Sequence, residues 1–172
     1  EPNFIFFLDK VMDRFPAAKY IFIVRDPRDN IRSMLNRQNI PGNRDFMPEG
    51  DLPKNWRGVI FNHEIWGGKG ENYIGVLAHR WNLAVDSYLE NSKKITLIRY
   101  EDFQKAKIGS ISDLSKKLGI EPINDISDKI DVQYQPKGNH QVSWSQFYGQ
   151  DNLSRINRIC RRHLEKFQYP IE

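Results

Sequence analysis

Residues 20–37, Tyr20-Ile21-Phe22-Ile23-Val24-Arg25-Asp26-Pro27-Arg28-Asp29-Asn30-Ile31-Arg32-Ser33-Met34-Leu35-Asn36-Arg37, decide the fold. The first five form an unbroken apolar run rich in β-formers, the pattern of a strand buried on both faces of a parallel sheet. Asp26-Pro27 follows at once. Asp is a favoured N-cap, and Pro, with its fixed φ and missing N–H, suits the first helical position. Asp29 adds negative charge to the first turn. The spacing predicts a helix to about Asn36, with Ile31, Met34 and Leu35 on one face and Asn30, Ser33 and Arg37 on another.

On the N-terminal side, Phe4, Phe7, Leu8, Val11, Met12 and Phe15 follow the i, i+3, i+4 spacing of an amphipathic helix over residues 3–15, which Pro16 closes. On the C-terminal side, residues 38–72 show no sustained period and carry several Gly and Pro. Trp56, Phe61 and Trp66 imply that this stretch packs on something. A second helix is predicted over 73–91, with Ile74, Leu77, Trp81, Ala84, Val85 and Tyr88 on one side. Residues 94–100 read as a second buried strand. A shorter helix over 110–118 turns Ile111, Leu114 and Leu118 inward and stops at Gly119. Residues 121–150 read as irregular. A last helix is predicted over 151–167, capped by Asp151, with Leu153, Ile156, Leu164 and Phe167 inward. Alternating helices and strands point to an α/β domain with a parallel sheet. Two strands are too few to stand alone, so further strands are expected upstream of Glu1.

The chain has 172 residues, which fits one domain, with 28% charged and 12% aromatic residues and a formal net charge of +4. Ten Phe, seven Tyr and four Trp can fill a core, which argues against disorder. The mild positive balance suits an anionic ligand without implying nucleic acid. The single cysteine, Cys160, excludes an internal disulfide and a cysteine-type zinc site, and favours a reducing, cytoplasmic setting over the secretory lumen. No pair of histidines or carboxylates has metal-ligand spacing. No apolar run is long enough to span a membrane.

Arg25 stands at the C-terminal end of the predicted strand, the edge where open α/β sheets bind ligands. Its planar fork suits phosphate oxygens. Ser33 lies two helical turns further and can donate a hydroxyl. Together with the start of the helix they describe a phosphate site. The alternative is a capped helix with local salt bridges in the Arg25-Asp26-Pro27-Arg28-Asp29 run.

This segment resembles the 3′-phosphate-binding segment of PAPS-dependent sulfotransferases, in which a strand ends in Arg and a Ser follows eight residues later. Phe15-Pro16-Ala17-Ala18-Lys19, the pair Arg80-Trp81 and the run Arg99-Tyr100-Glu101-Asp102-Phe103 also resemble that family in order along the chain. The resemblance implies a P-loop-NTPase-like α/β fold and transfer of a sulfuryl group from PAPS to a hydroxyl or amine acceptor, without a metal. It implies that Arg25 and Ser33 hold the 3′-phosphate of PAPS and that Tyr100 contacts adenine, with a core tyrosine as the alternative. Lys137-Gly138 ahead of Trp144 resembles the family's basic-Gly loop. That makes Lys137 a second phosphate contact, or else a solvated lysine.

The family's phosphate loop is not found, and Gly67-Gly68-Lys69-Gly70 is no substitute, because no strand precedes it and no hydroxyl residue follows the lysine. The chain is therefore expected to represent the C-terminal portion of one sulfotransferase-like domain, incomplete at the N-terminus and inactive by itself. The general base is not assigned: His63, Glu64 and His140 lie in loops and read as surface residues. Two rivals remain. A phosphate-loop nucleotide kinase lacks a placeable Walker loop and Mg²⁺-binding Asp. A non-enzymatic polyanion-binding module would use Arg155, Arg158, Arg161, Arg162 and Lys166 on the last helix. Neither the acceptor nor the oligomeric state has a legible signal.

Overall fold

The structure is a computed structural model that describes residues 4–51, 54, 72–121, 123–132 and 142–171. A 3₁₀ turn, Phe4–Phe7, leads into α1 (Leu8–Arg14). Then come β1 (Tyr20–Val24), α2 (Pro27–Arg37), a 3₁₀ turn Glu49–Asp51, α3 (Tyr73–Glu90), β2 (Ile95–Arg99), α4 (Tyr100–Lys105), α5 (Lys107–Leu118) and α6 (Trp144–Lys166). The chain divides into two compact units, Glu1–Arg25 with Ser87–Pro136, and Asp26–Asp86 with Lys137–Glu172.

In the first unit β1 and β2 pair in parallel, Tyr20 opposite Ile95 through Val24 opposite Arg99. The period-2 alternation of strands puts Tyr20, Phe22 and Val24 on one face and Ile21 and Ile23 on the other. Phe22 stacks on Tyr88 of α3, ring centroids 4.9 Å apart and nearly parallel. Ile21 and Ile23 are 43% and 60% exposed. The strand expected to be buried on both faces is therefore covered on one. The N-terminal helix is also less buried than its apolar pattern predicts. Leu8 and Met12 are buried, whereas Phe4, Phe7 and Phe15 are exposed. Ile111, Leu114 and Leu118 of α5 are only half-buried.

Gly119 ends α5 in the left-handed region at φ 64°. The Gly119 amide donates to the Lys116 carbonyl and the Ile120 amide to the Ser115 carbonyl, the two bonds of a Schellman stop. A glycine suits this position because no Cβ opposes positive φ.

In the second unit α2 packs on α6. Ile31 and Leu35 of α2, Ile74 and Val85 of α3, and Ile156 and Leu164 of α6 are all fully buried. Asn152, buried on α6, donates to the carbonyls of Gly42 (2.9 Å) and Arg44 (3.0 Å) and accepts from Asn72 and Arg155. One side chain thus satisfies backbone groups of the stretch that follows α2. Gly42 is needed there for its size. A Cβ on it would lie 2.5 Å from Phe147 Cε1 and 2.9 Å from the Phe147 carbonyl oxygen. Gly42→Ala is expected to cost roughly 1–3 kcal/mol, seen as a lower midpoint in thermal unfolding.

The last helix begins earlier than predicted. Ser143, not Asp151, is the N-cap, in a capping box with Gln146. Ser143-x-x-Gln146 is the sequence signature of such a box. It was hidden because Gly149, at φ 68° and ψ 167°, breaks the helical period between the two halves of α6. Most of the irregular 38–72 stretch, including Trp56, Phe61, Trp66 and the Gly67–Gly70 run, lies outside the described residues.

Candidate functional site

The β1–α2 junction forms as the sequence predicts. Asp26 is the N-cap, Pro27 occupies the first helical position, and the Asp26 carboxylate accepts the Arg28 amide at 2.9 Å. What the sequence does not predict is where Arg28 goes. Its side chain is fully buried. Nε donates to Asp26 Oδ1 at 2.9 Å and Nη2 to Asp26 Oδ2 at 2.6 Å. Nη2 also donates to the Pro170 carbonyl at 2.8 Å, and Nη1 to Asn157 Oδ1 at 3.4 Å. The Trp144 ring lies over the guanidinium, 4.0 Å from Cζ to the centroid. Tyr148 donates its hydroxyl to the Arg28 carbonyl at 2.5 Å, and burial pushes that phenol well above its ordinary range.

Asp29 extends the cluster. Its Oδ1 accepts Trp144 Nε1 at 2.9 Å and Arg32 Nη2 at 2.5 Å, while Arg32 Nη1 donates to the Val142 carbonyl at 2.9 Å. The first turn of α2 is thus tied to the start of α6 and to the C-terminal segment. This bears on the phosphate reading. The Arg28 amide at the N-terminus of α2 already serves a buried carboxylate, so the helix start is not the bare anion-binding end that the sequence suggested. What remains of that reading is the Arg25 and Ser33 side chains.

Arg25 follows β1 in the first unit, and Tyr100 follows β2. The parallel register that pairs Val24 with Arg99 brings the next residues, Arg25 and Tyr100, side by side at the C-terminal edge. The Arg25 guanidinium lies over the Tyr100 ring, 4.5 Å from Cζ to the centroid. Both residues are half-buried. Arg99, the last residue of β2, has its Nε 3.9 Å from Asp102 Oδ2. Ser33 belongs to the second unit, on the exposed face of α2 opposite buried Ile31 and Leu35.

The model of the sulfotransferase domain matches residues 8–148. The chain belongs to the sulfotransferase family. No curated protein and no solved structure matches it. The matched stretch of this sulfotransferase domain includes the β1–α2 segment, both strands and the first turn of α6. The parallel α/β sheet agrees with the family's phosphate-loop-like fold.

Of the other residues singled out in the sequence, Lys137, His63, Glu64 and His140 lie outside the described residues. Arg80 is half-buried, and burial lowers its pKa. Its neighbour Trp81 is buried and meets the His163 ring edge-on, 6.1 Å between centroids. On α6, Arg161 pairs with Glu165 at 3.2 Å and Arg162 with Asp86 at 3.3 Å, both exposed. These pairs add little stability and lower the net charge of the basic stripe. Cys160 is fully buried, and burial pushes its thiol up, which makes it a poor nucleophile.

Sequence reasoning missed Arg28, Asp29 and Trp144 as a cluster. The available signal was the charge run beside a lone Trp, and nothing in it separates a surface ion pair from a buried one. Among the described residues no group of three or more His, Cys, Asp or Glu could hold a metal ion. Among them, too, no helix is long and apolar enough to cross a membrane.

Proposed function

We propose that this sulfotransferase takes its sulfuryl group from PAPS and delivers it to a hydroxyl or amine acceptor, with Arg25 and Ser33 holding the donor's 3′-phosphate. The observation that carries this reading is Arg25 itself, an arginine directly after a parallel strand with its guanidinium laid over an aromatic ring. A planar guanidinium suits the oxygens of a phosphate. Ser33 supports the reading by its spacing and its exposure on α2. Lys137 belongs to the same proposal as a second phosphate contact, and Tyr100 as a contact to adenine.

Sulfuryl transfer resembles phosphoryl transfer, in which positioning and charge stabilisation dominate. The part of Arg25 and Ser33 is binding. They fix one end of the donor so that its other end is presented in line with the acceptor.

The test is calorimetric binding of 3′-phosphoadenosine-5′-phosphate against 5′-AMP on the native full-length protein. A preference for the 3′-phosphorylated ligand of about tenfold or more, roughly 1.4 kcal/mol, is expected. Arg25→Ala is expected to abolish it. Equal affinities in the wild type, or an unchanged preference in Arg25→Ala, would refute the assignment. A steep salt dependence without any 3′-phosphate preference would favour a polyanion-binding module instead.

A further inference from the structure

We infer that His163 is an acid-sensitive pin between α3 and α6: the neutral ring packs the two helices together, and its protonation loosens them. The inference is independent of the nucleotide reading above. Four observations lead to it, all within the second unit. His163, on α6, is 3% exposed. Its Nε2 lies 3.1 Å from Asp86 Oδ1 on α3. The ring also meets Trp81 of α3 edge-on. Nδ1 is buried and has no hydrogen-bond partner among the described residues.

This geometry favours one protonation state. A neutral imidazole has one donor and one acceptor nitrogen. With the proton on Nε2 the ring donates toward the Asp86 carboxylate and leaves Nδ1 a bare acceptor. A second proton would add a charged N–H at Nδ1, where no acceptor stands, and burying an unmatched donor is costly. Asp86 is not held in reserve for that cation. The same Oδ1 lies 3.3 Å from Arg162 Nη2, so its charge is already shared.

The surrounding charges act in both directions. Burial pushes the His163 pKa below its ordinary value, and Arg162 and Lys166 of α6 push it the same way, against the pull of Asp86. The C-terminal end of α6 also favours the cation, by less than burial opposes it. Cys160, one turn earlier on α6, adds no charge, because burial keeps its thiol protonated. A folded-state pKa below the unfolded one means that the unfolded chain binds the proton more readily. The stability is therefore complete above the unfolded value, about 6.5, and is lost as pH falls toward the folded one.

The experiment is a pair of titrations on the native full-length protein. Proton NMR follows the His163 ring, assigned through its contact with Trp81, from about pH 8 to about pH 5. Its midpoint is expected below that of a histidine in an unfolded chain. A midpoint at or above that value would overturn the inference. Arg162→Ala removes the cation that competes for Asp86 and should move the midpoint up. An unchanged or lower midpoint in that variant would count against the shared carboxylate and overturn the account.

Urea unfolding over the same pH range gives the second reading, for wild type and His163→Gln. Toward acid the unfolding equilibrium constant of the wild type is expected to rise more steeply than that of the variant. The difference is at most about tenfold per pH unit, the limit for one proton. Equal slopes would overturn the inference, because the acid sensitivity would then lie elsewhere. Should His163→Gln not fold, the wild-type midpoint decides by itself.

Discussion

Replacing Arg28 with alanine is expected to destabilise the protein by about 3–5 kcal/mol, the usual result of leaving one partner of a buried ion pair behind. Arg28 is fully buried and its Asp26 partner is 4% exposed. The variant would take the charged partner from the buried Asp26 carboxylate. It would also remove the Arg28 donor from the Pro170 carbonyl and Asn157 Oδ1, and open a gap under the Trp144 ring. Against a typical total of about 5–15 kcal/mol, such a loss threatens folding itself.

Chemical denaturation measures the effect, with soluble yield as the first sign. Arg28→Lys should recover only part of the loss. An ammonium keeps the charge but cannot reproduce the two parallel bonds to Asp26 or the planar stack under Trp144. The double change Asp26→Asn with Arg28→Met should cost less than the sum of the single changes by about 1–3 kcal/mol, because it removes both charges together. A single-variant loss below about 1 kcal/mol would mean that the cluster is not buried as described.

The second large effect separates the two faces of α2. Leu35→Ala is expected to cost about 2–5 kcal/mol, since Leu35 is fully buried and its removal leaves a cavity between packed helices. Ser33→Ala, two residues away on the exposed face, should change stability by no more than about 0.5 kcal/mol. Binding should show the reverse order. Ser33→Ala is expected to weaken the preference for the 3′-phosphorylated ligand, whereas folded Leu35→Ala protein should keep it. Thermal melts and the calorimetric ratio together check both halves. A Ser33→Ala variant that loses stability instead of selectivity would move Ser33 from the binding reading to a structural one.

These expectations also show where the basic character of the chain goes. Arg28 and Arg32 serve packing, held by Asp26 and Asp29. Arg161 and Arg162 have acidic partners at the surface. Arg25 follows a parallel strand at its C-terminal edge, over the Tyr100 ring, and selectivity is argued from that place and not from net charge.

Local chemistry was legible in the sequence itself. The apolar run Tyr20–Val24 specified a strand, and Asp26-Pro27 specified the start of α2, because capping acts over one or two residues. Gly119 marked the end of α5 for the same reason. The family signature rests on the eight-residue spacing of Arg25 and Ser33, which is also local. The tertiary structure alone decided the rest. Arg28 and Asn157 are 129 residues apart in the chain, and Trp144 and Asp29 are 115 apart. No periodicity links such partners. The run Arg25-Asp26-Pro27-Arg28-Asp29 is equally compatible with exposed salt bridges, and only the packing of α6 and the C-terminal segment over it makes Arg28 a buried keystone. The same holds for Arg25. Its residue type was readable, but its seat on Tyr100 follows from the register of two parallel strands, which hydrogen bonding between distant segments sets and sequence spacing does not.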